Sequence, residues 1–317
     1  MIADEVSAEM FDCPVTLAES FPREQYRVTV AHNRECRQRA WRLAYEIYRG
    51  MGYEPERESQ MRIILQDALP ETRTFLVEAY PQLDSPLATL SLVPDSPLGI
   101  PMDDNCGREL NALRRSGRRI CEVVKLAVRQ RSEAFRGLET TILFPLFQLA
   151  WLQAASLQDA TDLVISVVPR HAVFYEKILL FETIGEARTY GSVSGTTGVP
   201  LRLDLTTAEA RYAARYGARS GSRNLYSQFV NGNRAAILRW LNAMDTTMSE
   251  DDLRYFLVEQ SDRLLQATDG ERFHLRRCYP EIDPELFSDT TVDNTDPRGG
   301  SVQDIIWDAA AIPAPAH

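Results

Sequence analysis

The sequence predicts an α+β fold: a mixed central sheet flanked by helices, with a helical C-terminal extension. Three observations carry this. Short alternating or β-branched runs interleave with amphipathic stretches in the order β-α-β-β-β-α-β-α-β-β. After Leu205 the strand-like runs stop and only helical periodicity continues. The chain has 317 residues, 44% of them hydrophobic and 25% charged, enough to bury a sizeable core.

Residues 1–25 show no sustained period and are expected to form an N-terminal arm. Tyr26–Ala31 alternates and is rich in β-formers, which makes it a first strand. His32-Asn33 offers a helix cap, and Cys36, Ala40, Leu43, Ala44, Ile47, Tyr48 and Met51 then recur at three and four residues. Gly50 and Gly52 stop that helix, and a polar loop rich in Glu and Arg runs through Gln60. Arg73–Ala79, Leu87–Val93 and Ile120–Val128 read as strands, the last two joined by a long Pro-, Gly- and Asp-rich connection expected to be a loop. Residues 135–158 form an apolar helix with a kink expected at Pro145. Leu163–Val168 suits a buried strand, and Pro169-Arg170-His171 opens a helix carrying Val173, Phe174, Ile178 and Leu179. Phe181–Tyr190 and Val199–Leu205 close the sheet around a Gly/Ser/Thr hairpin. Thr207–Tyr216, Asn224–Ala243 and Ser249–Ala267 then read as helices. The expected division is an arm at 1–25, the α+β domain at 26–205, a helical extension at 206–279 and an acidic, flexible tail at 280–317.

Net charge is −10, which argues against a nucleic-acid binder. The distribution is uneven. Between Arg108 and Arg136 nine basic residues face Glu109, Glu122 and Glu133, a local excess of six positive charges. After Pro280 eight acids face Arg298. A basic patch on an acidic protein suggests an anionic partner at one place, or a solvated charged face. No stretch approaches eighteen apolar residues, so no membrane span is expected. The start, Met-Ile-Ala-Asp-Glu-Val, shows no secretory leader. Five scattered cysteines without a C-x-x-C pair suit neither a disulfide framework nor a metal site, and a cytoplasmic location follows as the expectation.

The segment Ile120–Thr140 is the most informative. Glu122 and Lys125 interrupt an apolar strand, and burying either charge unpaired is costly. Three residues apart, they point to opposite faces of a regular strand, whereas a bulge between them brings both to one cleft. An edge strand with two solvated charges is the alternative. Arg129, Arg131 and Arg136-Gly137 mark the turn into the next helix, where free amides and basic side chains suit a phosphate.

The stretch Val167-Val168-Pro169-Arg170-His171-Ala172-Val173-Phe174-Tyr175-Glu176-Lys177-Ile178-Leu179-Leu180-Phe181-Glu182 resembles the a-x-x-x-Y-x-x-x-G-F segment of GNAT-fold acyltransferases. Arg39–Tyr53 resembles the first helix of acyl-homoserine-lactone synthases. Together with Glu122, Lys125 and Arg136-Gly137, these segments are most similar to the N-acyl amino acid synthases, the N-acyl-tyrosine synthases in particular, over residues 26–205. Two departures stand out. Glu139 occupies the second small position of the phosphate loop, and Leu180 stands where Gly precedes Phe. The resemblance implies a GNAT-like fold and transfer of a long-chain acyl group to an amino acid. The implied donor is the acyl-phosphopantetheine of an acyl carrier protein, with acyl-CoA second. An acidic carrier protein would match the basic patch.

That chemistry asks for a base, and Glu122 is the candidate, with His171 as base or carboxylate ligand. A free amide at a bulge near Ala127–Val128 would hold the oxyanion. Tyr175, at the matching GNAT position, would protonate the departing thiolate; a core aromatic is the alternative. Lys125 and Arg170 are candidates for the substrate carboxylate or the phosphate. Phe144 and Phe147 would wall an acyl tunnel, and Trp41, Tyr45 and Tyr48 the acceptor side, or they are simply core. Competing readings are a synthase taking S-adenosylmethionine as acceptor and a non-catalytic module that binds an acyl ligand.

Overall fold

Four strands pair in chain order, each antiparallel to the last: β1 (Tyr26–Val30), β2 (Arg73–Ala79), β3 (Pro86–Pro94) and β4 (Ile120–Val128). β5 (Asp162–Val167) then lies parallel to β4, and β8 (Thr196–Asp204) antiparallel to β5. The short β6 (Glu182–Thr183) and β7 (Arg188–Tyr190) both pair with β8, giving the order 1-2-3-4-5-8-6. The computed structural model describes residues 26–79, 86–129, 138–190, 196–221, 224–231 and 233–288. The chain divides into two units after Phe287, and the sheet with its helices makes up the first.

Helix α1 (Arg34–Gly50) begins where Asn33 accepts the Cys36 N–H, as an N-cap should. It covers one face of β2, β3 and β4. Helix α3 (Leu138–Leu152), with Pro145 inside it, packs against β3 and prolongs as a π turn at Gln153–Leu157. Alternation along β2 sorts the two cores: Phe75 and Val77 join the cluster containing α3, and Leu76 joins the one containing Trp41 of α1.

The Pro/Gly/Asp-rich connection is not a loop throughout. Asp103–Arg115 is a helix, α2, with Asp103 and Asp104 in its first turn and Arg114 and Arg115 in its last, the arrangement its dipole favours. α4 (Pro169–Lys177) starts at Pro169, which suits a first helical position. Just beyond it Leu180 has φ +57°, so the backbone adopts the left-handed conformation in which the related segment carries glycine.

After β8 the chain is helical: α5 (Leu205–Tyr216), a π turn at Ser227–Asn231, α6 (Arg234–Ala243) and α7 (Glu250–Arg254), which runs into a π turn at Tyr255–Glu259. The helix expected through Ala267 therefore ends early. An unanticipated helix comes next, α8 (Asp269–Cys278), opened by a Thr268–Glu271 capping box. Packing also continues past residue 279, because Leu286 and Phe287 are buried in the Pro284–Phe287 turn.

These segments bury side chains against α1. Met248, Leu253, Phe256, Leu257, Leu275 and Tyr279 share a core with Trp41, Met61 and Ile63. Arg37 of α1 is buried and bonds Asp252 (3.2 Å) and the Thr246 carbonyl (2.8 Å), while the Tyr279 hydroxyl donates to the Ala68 carbonyl (2.6 Å). No helix among the described residues is long and apolar enough to cross a membrane.

Candidate active site

β4 and β5 are joined only at their first three positions, Ile120–Glu122 against Asp162–Val164. Beyond them β4 continues along β3 to Val128, and β5 continues along β8 to Val167. A gap therefore opens in the middle of the sheet, beside Val123–Val128. The Arg129 N–H donates to the Leu87 carbonyl (2.8 Å), toward β3. Backbone groups alternate along a strand, so the Val128 N–H turns the other way, into the gap. A backbone donor there has a place to hold a ligand carbonyl.

The β3–β4 register shifts between Thr89 and Ser91, which face Ala127 and Val124. Leu90 alone thus opposes Lys125 and Leu126: a bulge on β4, with Lys125 at φ +53°. Its consequence is chemical. Glu122 and Lys125 would point to opposite faces of a regular strand, but here the Lys125 ammonium lies 4.6 Å from the centre of the Trp41 ring on the α1 side. Glu122 shares that side and accepts the Met102 N–H (2.8 Å) at the start of α2.

Neither charge is solvated. β4 is central, and Glu122 and Lys125 are 4% and 1% exposed, so the edge-strand alternative does not hold. Burial pushes the Glu122 carboxyl up to about 8, against the pull of the Met102 amide. Burial pulls Lys125 down to about 8, opposed by Asp67, whose carboxylate it meets directly. Asp67 sits in a short 3-10 turn, Leu65–Ala68, and also accepts the Ile64 N–H (2.8 Å). Arg62 pairs with buried Glu54 and lies 4.7 Å from the centre of the Tyr48 ring. Tyr48 lies within electrostatic reach of Glu122, and Tyr175 within reach of Tyr48.

On the opposite side the lining is aromatic. Tyr175 is buried on α4, edge-on to Phe147 (5.8 Å), Phe174 (5.5 Å) and Phe181 (5.8 Å), and burial raises its hydroxyl pKa. Phe144 stacks on Phe174 at 6.3 Å.

A family model, N-acyl amino acid synthase FeeM, matches residues 39–204. The chain belongs to that family. Membership makes it an acyltransferase, and the mixed sheet with a diverging parallel pair is the GNAT-like architecture its sequence predicts. Similar solved structures include FeeM, an N-acyl amino acid synthase from uncultured soil microbes (24% identity, 59% of this chain and 94% of that one, TM-score 0.49). Two others are the AHL synthase LasI (16%, 58% and 94%, 0.44) and an N-acetyltransferase from Staphylococcus aureus Mu50 (14%, 57% and 98%, 0.35). No curated protein sequence matches the chain.

Of the residues the sequence singles out, Glu122, Tyr48 and Tyr175 lie within electrostatic reach of one another in turn, and the others have different places. Lys125 is held by Asp67 beneath the Trp41 ring and is not presented to an incoming carboxylate. Trp41 is core, edge-on to Phe256 at 4.6 Å, and the Tyr45 hydroxyl accepts the Arg57 N–H (3.0 Å). Arg170 and His171 are exposed in the first turn of α4, His171 one turn before buried Tyr175 on the same side of the helix. Ala127 is buried and paired with Thr89, and Phe147 is core beside Tyr175. Arg131, Arg136 and Gly137 lie outside the described residues, and so does the phosphate-loop reading that rests on them.

The basic patch is not a surface of free charge. Arg114 binds Asp95 and Asp103, Arg118 binds Asp162 and Asp204, Arg119 pairs with Asp159, and Arg129 forms a two-bond contact with Glu46 (2.6 and 2.7 Å). With Lys125 held by Asp67, the excess read along the chain is largely neutralised in space. Sequence reasoning also missed Asp67, Arg62 and the Met102 amide. None belongs to a motif, and each is defined by what it meets across the fold.

Proposed function

We propose that the chain transfers a long-chain acyl group from the phosphopantetheine thioester of an acyl carrier protein to the amino group of an amino acid, with acyl-CoA as the second choice of donor. The observation that carries this reading is the gap between β4 and β5, which has a buried carboxyl on one side and a buried phenol on the other. The thioester arm lies in the gap, its carbonyl oxygen toward the Val128 N–H. Glu122 takes a proton from the acceptor ammonium, directly or through water. A carboxyl shifted to about 8 is close to an α-amino group, so the transfer is nearly balanced. The free amine attacks the carbonyl carbon, the C–N bond forms, the C–S bond breaks, Tyr175 protonates the leaving thiolate, and the proton lost by the new amide nitrogen returns to the Tyr175 oxygen through water. Phe144 and Phe174, partly buried and stacked on each other, supply an apolar wall for the acyl chain.

The test is incubation of the pure protein with palmitoyl-carrier protein or palmitoyl-CoA and a pool of amino acids, followed by mass spectrometry. An N-palmitoyl amino acid is the expected product, formed faster from the carrier protein. Tight acyl binding without product from any acceptor would make the chain a binding module. A lactone formed from S-adenosylmethionine would make it a homoserine-lactone synthase.

A further inference from the structure

The Ile120 carbonyl accepts the Asp95 N–H (2.9 Å) and the Arg129 N–H donates to the Leu87 carbonyl (2.8 Å), so both residues turn toward β3. They stand an odd number of residues apart, and on a regular strand such residues turn opposite ways. The extra residue at the bulge makes up the difference. Without it Val128, an even step from Ile120, would aim its N–H at β3 and not into the gap. The bulge thus sets the backbone donor that the proposed reaction uses.

Lys125 holds the bulge at φ +53°, a left-handed conformation that a residue with a Cβ keeps only when its surroundings impose it. Asp67 meets its ammonium directly, and the Trp41 ring centre lies 4.6 Å from it. Each of these contacts is backed by the C-terminal segment, beyond the residues matched to the family. Phe256, buried in the π turn after α7, stands edge-on to Trp41 with ring centres 4.6 Å apart. The Trp41 indole N–H has no hydrogen-bond partner among the described residues, so packing orients the ring. Tyr279, at the end of α8, donates its hydroxyl to the carbonyl of Ala68, the residue after Asp67 (2.6 Å).

We infer that Phe256 and Tyr279 are positioning residues for acyl transfer. They hold Trp41 and the 3-10 turn of Asp67 against Lys125, and so keep the bulge that aims the Val128 N–H into the gap. The inference rests on the acylation reading and deepens it. An oxyanion donor is effective when it is already aimed as the charge develops, and small misplacements are costly. The C-terminal segment then stiffens the site without touching substrate, and its shared core with Trp41 and Ala68 is the means.

The experiment pairs kinetics with hydrogen–deuterium exchange in two variants. Phe256→Leu removes the ring edge, and Tyr279→Phe removes one hydroxyl, so the second reads the clamp even where the first fails to fold. With a palmitoyl donor, kcat falls about tenfold in Phe256→Leu and about threefold in Tyr279→Phe, part of the roughly 10²–10³-fold that loss of an oxyanion donor costs, while donor KM moves less than about twofold. Exchange speeds up over residues 123–127 of β4 and stays as it was over residues 199–204 of β8. Phe273→Ala, on the exposed face of α8, changes none of these. A rise in exchange shared by both strands marks general loosening and overturns the inference. So does a change in only one of kcat and β4 exchange, or in neither, and in each case the acylation reading stands. If the wild type forms no product, that reading falls and exchange decides alone: a rise confined to 123–127 keeps the clamp, and its absence removes it.

Discussion

The two sides of β4 differ in what they bury. Toward α1 lie Glu122, Lys125, Asp67, Arg62 and Glu54: Lys125 pairs with Asp67, Arg62 with Glu54, and Glu122 accepts the Met102 amide. Toward α3 and α4 lie Phe147, Tyr175, Phe174 and Phe181, packed edge to face. Buried charge is expensive and aromatic packing is favourable, so a strand serving only as scaffold would carry the second kind on both sides. Under the proposed function the contrast is a division of labour: protons and the polar acceptor on one side, the apolar chain on the other, with the β4–β5 gap joining them.

Substitutions on either side of β4 put that contrast to the test. Glu122→Gln has the largest expected effect, a fall in kcat of about 10²–10⁴ with donor KM unchanged, the usual range for a lost general base. In the wild type kcat/KM rises with pH and levels above about 8, and in the variant that limb disappears from the pH–rate profile. An unchanged profile would take Glu122 out of the reaction. Asp67→Ala strands the Lys125 ammonium in the core and costs about 3–5 kcal/mol in urea unfolding. Adding Lys125→Met recovers most of that loss, and a second variant no more stable than the first would show that Asp67 acts through something other than the pair.

The same Glu122→Gln variant tests the electrostatics without activity. The folded pKa of Glu122 is raised, so the stability its neutral form permits is fully present below 4.5 and is lost as pH rises through about 8. Lys125 runs the other way: its contribution is full above 10.5 and is lost as pH falls through about 8. Unfolding at pH 5 and pH 9 should therefore show the Gln variant gaining on the wild type as pH rises. Tyr175→Phe is milder, roughly a tenfold loss in kcat and below the usual acid–base range, because a thiolate is a tolerable leaving group. Arg129→Ala is the control. Its partly exposed pair with Glu46 is worth at most about 1 kcal/mol, and donor KM stays as it was.

Much of the scaffold was legible. β4 ends where its apolar run ends, and Pro169 opens α4, because both signals are local. Asp103–Arg115 escaped because Pro and Gly crowd the flanks of a helix that buries only Cys106 and Leu110. α8 buries little more, Arg272 and Leu275, and the Thr268-x-x-Glu271 box was the signal that could have found it. The charged run at Arg108–Arg136 misled for a different reason. Its partners, among them Glu46, Asp67, Asp95, Asp162 and Asp204, come from all over the domain, and no window of sequence contains them.

Residue order alone thus set where most strands and helices form, and that Glu122 and Lys125 would trouble the strand between them. Periodicity and turn chemistry act over a few residues, and those are written in order. It took the folded chain to assign Lys125 to Asp67, to part β4 from β5 after Glu122, and to bring Arg263 to the Ile63 carbonyl. Such matches depend on which surfaces the sheet brings together, and Coulomb forces and burial act across space without regard to distance along the chain.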